Sequence, residues 1–325
     1  MTKVKFFSVS GTSATDLQLP NDFILLHGEV LDERGESACA SAPAEARVKL
    51  EFGVDDMSLT VGTETKSSDL AAELLGGYDL QKVFLEATTL GFAELFCATN
   101  ALLTCGATTL NIIYVEPGEY TRVSKGGHQF ELSEPTQGYV AIPNAIVDLS
   151  SEEVEAGVFF LGFEPERLDR ALEEYQMIAS KDVKLVFGIP AYHPGWELDA
   201  IVPHLPALEQ HKLQLDYCSA NDPEAAFECL ERTRSALGVD RRMFVAPIGP
   251  KPCGIASAIF ATVYPEQVGL LFDHPRRKAK RSSGVDLWHW FTVTVEKDAE
   301  SEKQVVAEAR LRLVRPSCPA ACSIT

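Results

Sequence analysis

No apolar run in the 325 residues approaches the roughly 18 needed to cross a bilayer, so no membrane-spanning helix is expected. The opening Met1-Thr2-Lys3-Val4-Lys5 leads into a short strand-like run rather than the apolar core of a signal peptide, and the expected compartment is the cytoplasm. Positive charge is scarce: 29 Lys and Arg stand against 47 Asp and Glu, for a net charge of −18. That balance opposes non-specific binding of DNA or RNA over the whole surface. Several familiar signatures are also missing. There is no GxxxxGK[ST] loop, no GxGxxG and no GxSxG nucleophile elbow. The eight cysteines form no CxxC pair, and most (Cys39, Cys97, Cys105, Cys218, Cys229, Cys253) lie in apolar patterns where a free thiol behaves as a small hydrophobe. Cys318 and Cys322 make a lone C-x3-C pair, only half of a zinc site, so no metal is assigned.

What is present is an alternation of short apolar strands with helical segments. Residues 1–65 read as β-rich and loop-rich, with 32–46 as an exposed loop and a short helix over 67–76. Strands at 82–87 and 109–115 flank a helix over 90–105 that Gly106 terminates, one β-α-β unit. Residues 116–150 read as an irregular connection. Beyond them come strands at 158–161, 183–187, 213–217, 243–246 and 268–272, separated by helices, one of which (197–212) Pro203 and Pro206 should break. Residues 288–295 read as a sheet-edge strand and 301–312 as a final helix. The expected class is α/β: a Rossmann-like, mostly parallel, doubly wound sheet with a β-rich amino-terminal region and an additional β-α-β unit. The expected division is residues 1–150 as an amino-terminal α/β region and 151–325 as a ligand-binding domain.

In an open parallel sheet, ligands bind beyond the carboxyl ends of the strands, so the loops after the strands hold the candidate site. The most informative is Pro247-Ile248-Gly249-Pro250-Lys251-Pro252, a Gly/Pro turn with a lysine that opens a helix of small residues. Backbone N–H groups at such a turn attract anions, and Lys251 adds a point charge. After the next strand comes His274-Pro275-Arg276-Arg277-Lys278-Ala279-Lys280-Arg281-Ser282-Ser283. From Asp240 to Arg281, eight basic residues face three acidic ones, a local cationic island in an acidic chain. It favours a small anionic ligand, with Arg276, Arg277, Lys278 and Arg281 as phosphate donors and Ser282 and Ser283 adding hydrogen bonds. Gly162 and the pair Asn221-Asp222 end other strands, and the latter could read a ribose or base. A solvated charge run is the plainer alternative for the basic stretch. Trp196, Trp288 and Trp290 could stack on a base, but core packing is the commoner use. An enzymatic alternative, a transferase or phosphodiesterase acting on a phosphorylated substrate, would draw its base or metal ligand from Glu116 (with Glu119 and Tyr120 beside it), Asp273 or His274. A structural subunit of a larger complex is the third reading.

Three features together, Gly162-Phe163-Glu164 after a strand, Asn221-Asp222 after another, and the Gly249-Pro250-Lys251-Pro252 turn before its small-residue helix, resemble CRISPR-associated Rossmann-fold (CARF-like) sensor domains and their relatives in bacterial antiviral defence. The resemblance covers about residues 155–296, and the family's G-[TN]-K-x-[ML] loop aligns with Gly249 to Cys253. It implies a homodimer that binds a nucleotide or a cyclic or linear oligonucleotide in the loops after the strands, working with an effector that here would be a separate protein or the amino-terminal half.

Overall fold

A computed structural model describes residues 2–122, 130–134, 138–211 and 213–296. The alternation expected from the sequence folds as α/β, but into two sheets. In the first, strand β2 (Ile24–His27) lies between β3 (Arg47–Gly53) and β6 (Val83–Glu86), and β7 (Thr109–Tyr120) continues beyond β6, all four parallel. Antiparallel β4 (Ser58–Val61) and β5 (Glu64–Ser67) extend the side of β3. At the opposite side, β13 (Ser282–Glu296) runs antiparallel to β7, and β1 (Lys3–Gly11) closes the edge. The second sheet is wholly parallel, in the order β10 (Gln214–Cys218), β9 (Asp182–Gly188), β8 (Val154–Leu161), β11 (Arg242–Pro247) and β12 (Val268–Leu270). β8 reads Val-Glu-Ala-Gly-Val-Phe-Phe-Leu, with every side chain but Glu155 buried. Such an unbroken apolar run suits a parallel strand covered on both faces.

Two expectations are corrected. Residues 32–46, expected as an exposed loop, contain helix α1 (Glu33–Ala40), whose amino end is capped by the Asp32 carboxylate accepting from the Gly35 N–H at 3.1 Å. Residues 288–295, expected at a sheet edge, are part of the 15-residue β13, paired on both sides. Trp288 and His289 are successive and both buried, as a strand covered on both faces requires. β13 also belongs to the first sheet, so a carboxyl-terminal segment completes the amino-terminal half. The helix expected over 301–312, Cys318 and Cys322 lie outside the described residues.

The two sheets are joined through helices. α3 (Phe92–Thr104), preceded by α2 (Ala71–Leu75), packs against α8 (Lys251–Val263), which in turn packs against α7 (Pro223–Ser235). α3 and α8 each bury ten of their 13 residues. A helix apolar all round has no face for water, and these two form the shared floor between the halves. One continuous apolar core runs through this layer into both sheets, while a smaller one (Phe23, Phe84, Ile113, Trp288 among its members) lies on the opposite face of the first sheet. α4 (Pro165–Glu174), α5 (Trp196–Ile201) and α6 (Leu205–Gln210) connect β8, β9 and β10; Pro203 falls between α5 and α6 and Pro206 in the first turn of α6, so the prolines divide that segment as expected. Among the described residues, no helix is long and apolar enough to cross a membrane.

Candidate functional site: a cleft between two strand-end crevices

Each sheet has one point where the chain leaves its first parallel strand in one direction and later returns on the other side. In the second sheet this lies between β8 and β11, and in the first between β2 and β6. Loops diverge there and leave a crevice beyond the carboxyl ends of the strands. Both crevices open into one cleft of about 970 Å³. A glycine makes each crevice possible. A Cβ on Gly249, just past β11, would lie 2.7 Å from the carbonyl oxygen of Leu161 at the end of β8. A Cβ on Gly28, just past β2, would lie 2.3 Å from the Thr89 carbonyl oxygen beyond β6. Both obstacles are backbone atoms, so only glycine allows this approach.

The cleft floor is cationic. Lys251 opens α8 and reaches across to the first half, where its Nζ donates to the Leu90 carbonyl at 2.7 Å. Arg277 donates to the preceding carbonyls, Thr89 at 2.5 Å and Thr88 at 3.4 Å. Three successive carbonyls after β6 thus face two cations. Arg281 also lines the cleft, and its buried Nε has no partner among the described residues. None of Lys251, Arg277 and Arg281 pairs with a carboxylate among the described residues. Burial, followed by the charges of Arg277 and Arg281, holds the Lys251 ammonium well below the usual lysine pKa, although the side chain keeps some surface toward the cleft. Burial, and then Arg277, pulls Arg281 down to about 10. The two carboxylates that oppose this on Lys251 are both engaged by other donors: Glu94, in the cleft wall, accepts from the Phe52 N–H at 3.2 Å, and Glu86 accepts from the N–H groups of Thr88 and Thr89, each at 2.8 Å, and from the Thr89 hydroxyl.

A fourth cation, Arg34 of α1, is held differently. Its Nη2 pairs with Asp32 at 2.8 Å, its Nε donates to Ser282 Oγ at 3.0 Å, and Nη1 to the Val115 carbonyl at 3.2 Å. The remaining walls are aromatic and acidic. Tyr120, Phe163 and Trp196 border the cleft and pack on one another and on Phe130, with ring centroids 4.7–5.9 Å apart. Glu29, Glu51 and Asp55 line another part.

The expected site residues are only partly brought together. Gly162, Gly249, Lys251, Arg276, Arg277 and Arg281 line the cleft. Of these, Arg276 is an exposed rim residue whose nearest carboxylate is Glu134, 3.9 Å away. Lys278 points outward to Glu131. Ser282 is buried and its hydroxyl is taken up by Asp32 and Arg34, and Ser283 is an exposed β13 residue. Asp222 caps α7 through the N–H groups of Glu224 and Ala225, and Asn221 accepts from Ser219, so this pair stabilises a helix start away from the cleft walls. The candidates for acid–base chemistry are engaged as well. Asp273 receives two hydrogen bonds from Arg167 (2.7 and 2.5 Å), whose third donation, 3.1 Å to the Ile248 carbonyl, braces the Gly249 turn. His274 bonds the Val140 carbonyl, and burial lowers its pKa. It also adopts a left-handed backbone (φ 44°), a strained state for a residue with a side chain. Glu116 is buried and bonds His289. Trp196 borders the cleft while Trp288 is core and Trp290 packs against it. Arg34, Arg167 and Gly28 were missed. The rule that reads loops after strands would have found Gly28 and Arg34 had β2 been included among those strands, whereas Arg167 carries no local signal.

No protein-family model matches the chain, and no curated protein is similar enough to count as a relative.

Proposed function

We propose that the chain is a sensor or scaffold that binds a nucleotide or oligonucleotide in the cleft between its two halves. The observation that carries this reading is the set of Lys251, Arg277 and Arg281, half-buried cations gathered at one cleft floor without a carboxylate partner among the described residues. Such charges are held at a cost unless an anion neutralises them. A phosphate would accept hydrogen bonds from both Arg side chains and favour the charged form of Lys251. The rest of the cleft fits the rest of a nucleotide: aromatic rings to stack on a base, and Glu29, Glu51 and Asp55 to accept from ribose hydroxyls or exocyclic amines. The strand order 3-2-1-4-5 of the second sheet supports its Rossmann-like reading. Together with the resemblance to CARF-like domains, this extends the proposal to a homodimer in bacterial antiviral defence acting through a separate effector. Binding without turnover of the cleft ligand is the favoured form, because Asp273 and His274, the acid–base candidates that line the cleft, are held by Arg167 and by the Val140 carbonyl.

The test is calorimetry and thermal shift with mono-, di- and cyclic nucleotides on the wild type and on a Lys251→Ala/Arg277→Ala variant. A ligand at a hundredfold excess over its Kd stabilises by about 2.7 kcal/mol. A shift present in the wild type and absent in the variant supports the reading. The absence of a shift with every nucleotide overturns it.

A further inference from the structure

Three residues on adjacent strands of the first sheet form a second, separate constellation. Ser10 on β1 faces His289 on β13 as its direct cross-strand partner, with Oγ 2.8 Å from Nδ1. The other ring nitrogen, Nε2, lies 2.7 Å from Glu116 Oε1 on β7. A carboxylate only accepts, so Nε2 carries the proton of the neutral imidazole, and the Nδ1 lone pair is left to accept from the serine hydroxyl. Burial is graded along the line: Glu116 is 1% exposed, His289 4%, and Ser10 is open to solvent. The imidazole is fixed in its plane by stacking against Tyr114 and Phe291, with interplanar angles of 15° and 4°. A buried acid, an oriented base and an exposed hydroxyl are the parts of an activated serine nucleophile, recognised by geometry rather than by a sequence elbow.

We propose that Ser10, His289 and Glu116 form an acyl-transfer site that hydrolyses accessible, activated carboxylic esters, independent of the ligand cleft. Ser10 Oγ attacks the ester carbonyl carbon while its proton passes to His289 Nδ1. The tetrahedral intermediate collapses, the C–O bond to the alkoxy group breaks, and the leaving alcohol takes that proton. Water then attacks the acyl-serine with His289 again as base, releasing the acid and restoring Ser10, so that ester and water become acid and alcohol. Glu116 acts through His289 and is a positioning residue. β1 is the edge of its sheet, so every second N–H along it points away from β13. Such a donor lies at Ser10 itself or one residue to either side, where it can hydrogen-bond the developing oxyanion. Helix α7 covers the same face of β1 lower down, where Phe6 meets Phe227, and leaves Ser10 open. The site therefore takes acyl groups presented at a surface rather than enclosed in a pocket.

The experiment treats the full chain with a fluorophosphonate probe and with p-nitrophenyl acetate, and maps the adduct by peptide mass. Ser8, exposed on the same face of β1 but paired with Phe291, is the internal control. The expected result is a single adduct at Ser10, lost in Ser10→Ala, retained in Ser8→Ala, and formed about 10²–10⁴-fold more slowly in Glu116→Gln. Ser10→Ala is a surface change that leaves the fold intact, so it decides the question even where Glu116→Gln fails to fold. No adduct at Ser10, or equal labelling of Ser8 and Ser10, overturns the proposal. Nucleotide binding is unaffected by Ser10→Ala, which keeps this test separate from that of the cleft.

Discussion

Gly28 and Gly249 hold corresponding places in the two halves of the cleft, each where neighbouring strand ends come within backbone contact, yet the cations that the two halves contribute are held in opposite ways. The first half contributes Arg34, which has a carboxylate, a hydroxyl and a carbonyl, and its environment is complete. The second half contributes Lys251, Arg277 and Arg281, and these have carbonyls at most. A compensated buried charge holds structure together, while an uncompensated one is a site prepared for something else. The same residue type thus plays two roles, and only the partner set distinguishes them.

The sharpest break of this contrast is Asp32→Ala. It leaves Arg34 buried without its counter-ion and removes the cap of α1. The expected loss is about 3–5 kcal/mol in urea unfolding, because one member of a buried pair is stranded. A loss below about 1 kcal/mol would show that Arg34 is solvated and that the two halves do not differ as described.

The glycines come next. Gly28→Ala places a Cβ against three backbone atoms within 2.8 Å, and Gly249→Ala places one against three within 2.9 Å. Neither obstacle is the flexible end of a side chain, so the strand ends must separate. Each substitution should cost about 1–3 kcal/mol in stability, with Gly28→Ala the larger because its closest approach is shorter. Gly249→Ala should also weaken nucleotide binding, since it displaces the turn that presents Lys251. Equal stability of both variants and wild type in chemical denaturation would contradict the close approach.

Much of this architecture was legible, and the reasons for the exceptions are physical. The parallel strands of the second sheet are buried on both faces, so their apolar runs stand out, and the Gly249 turn follows from the strand-to-helix switch around it. The Lys251, Arg277 and Arg281 cluster was readable because loops after adjacent parallel strands must be neighbours. What escaped was whatever depended on long-range pairing. α1 is short and polar, with Arg34 and Gly35 among its buried residues, so its sequence resembles a loop until its burial against β7 and β13 is known. β13 alternates like an edge strand but lies inside the first sheet, a placement that β1, almost 300 residues earlier, decides. The Ser10–His289–Glu116 line depends on that same pairing and has no local pattern at all. Asn221-Asp222 misled for the opposite reason: a helix-capping pair and a ribose-reading pair look alike in sequence, and here the carboxylate of Asp222 is taken by the N–H groups of α7.

The smallest expected effect concerns pH and bears most directly on the uncompensated half. The folded-state pKa of Lys251 lies below the 10.5 of an ordinary lysine, chiefly through burial and then through Arg277 and Arg281. Between those two values the unfolded chain binds a proton that the folded chain does not, so the stability of the unliganded protein rises with pH across that window. The contribution is fully present above pH 10.5 and is lost as pH falls through the folded value. An anionic ligand acts the other way, because it favours the ammonium and draws in a proton, so nucleotide affinity should weaken as pH rises through the same window. Lys251→Met keeps the length and apolar stem while removing the charge. It should change unliganded stability at neutral pH by no more than about 1 kcal/mol, as replacement of a buried charge by a similar apolar group often does. It should also flatten both pH dependences and abolish the nucleotide-induced shift. Unfolding curves and calorimetry across the pH series measure all three. A variant that retains the wild-type pH slope would place the titrating group elsewhere and remove Lys251 from the anion site, leaving Arg277 and Arg281 to hold the anion.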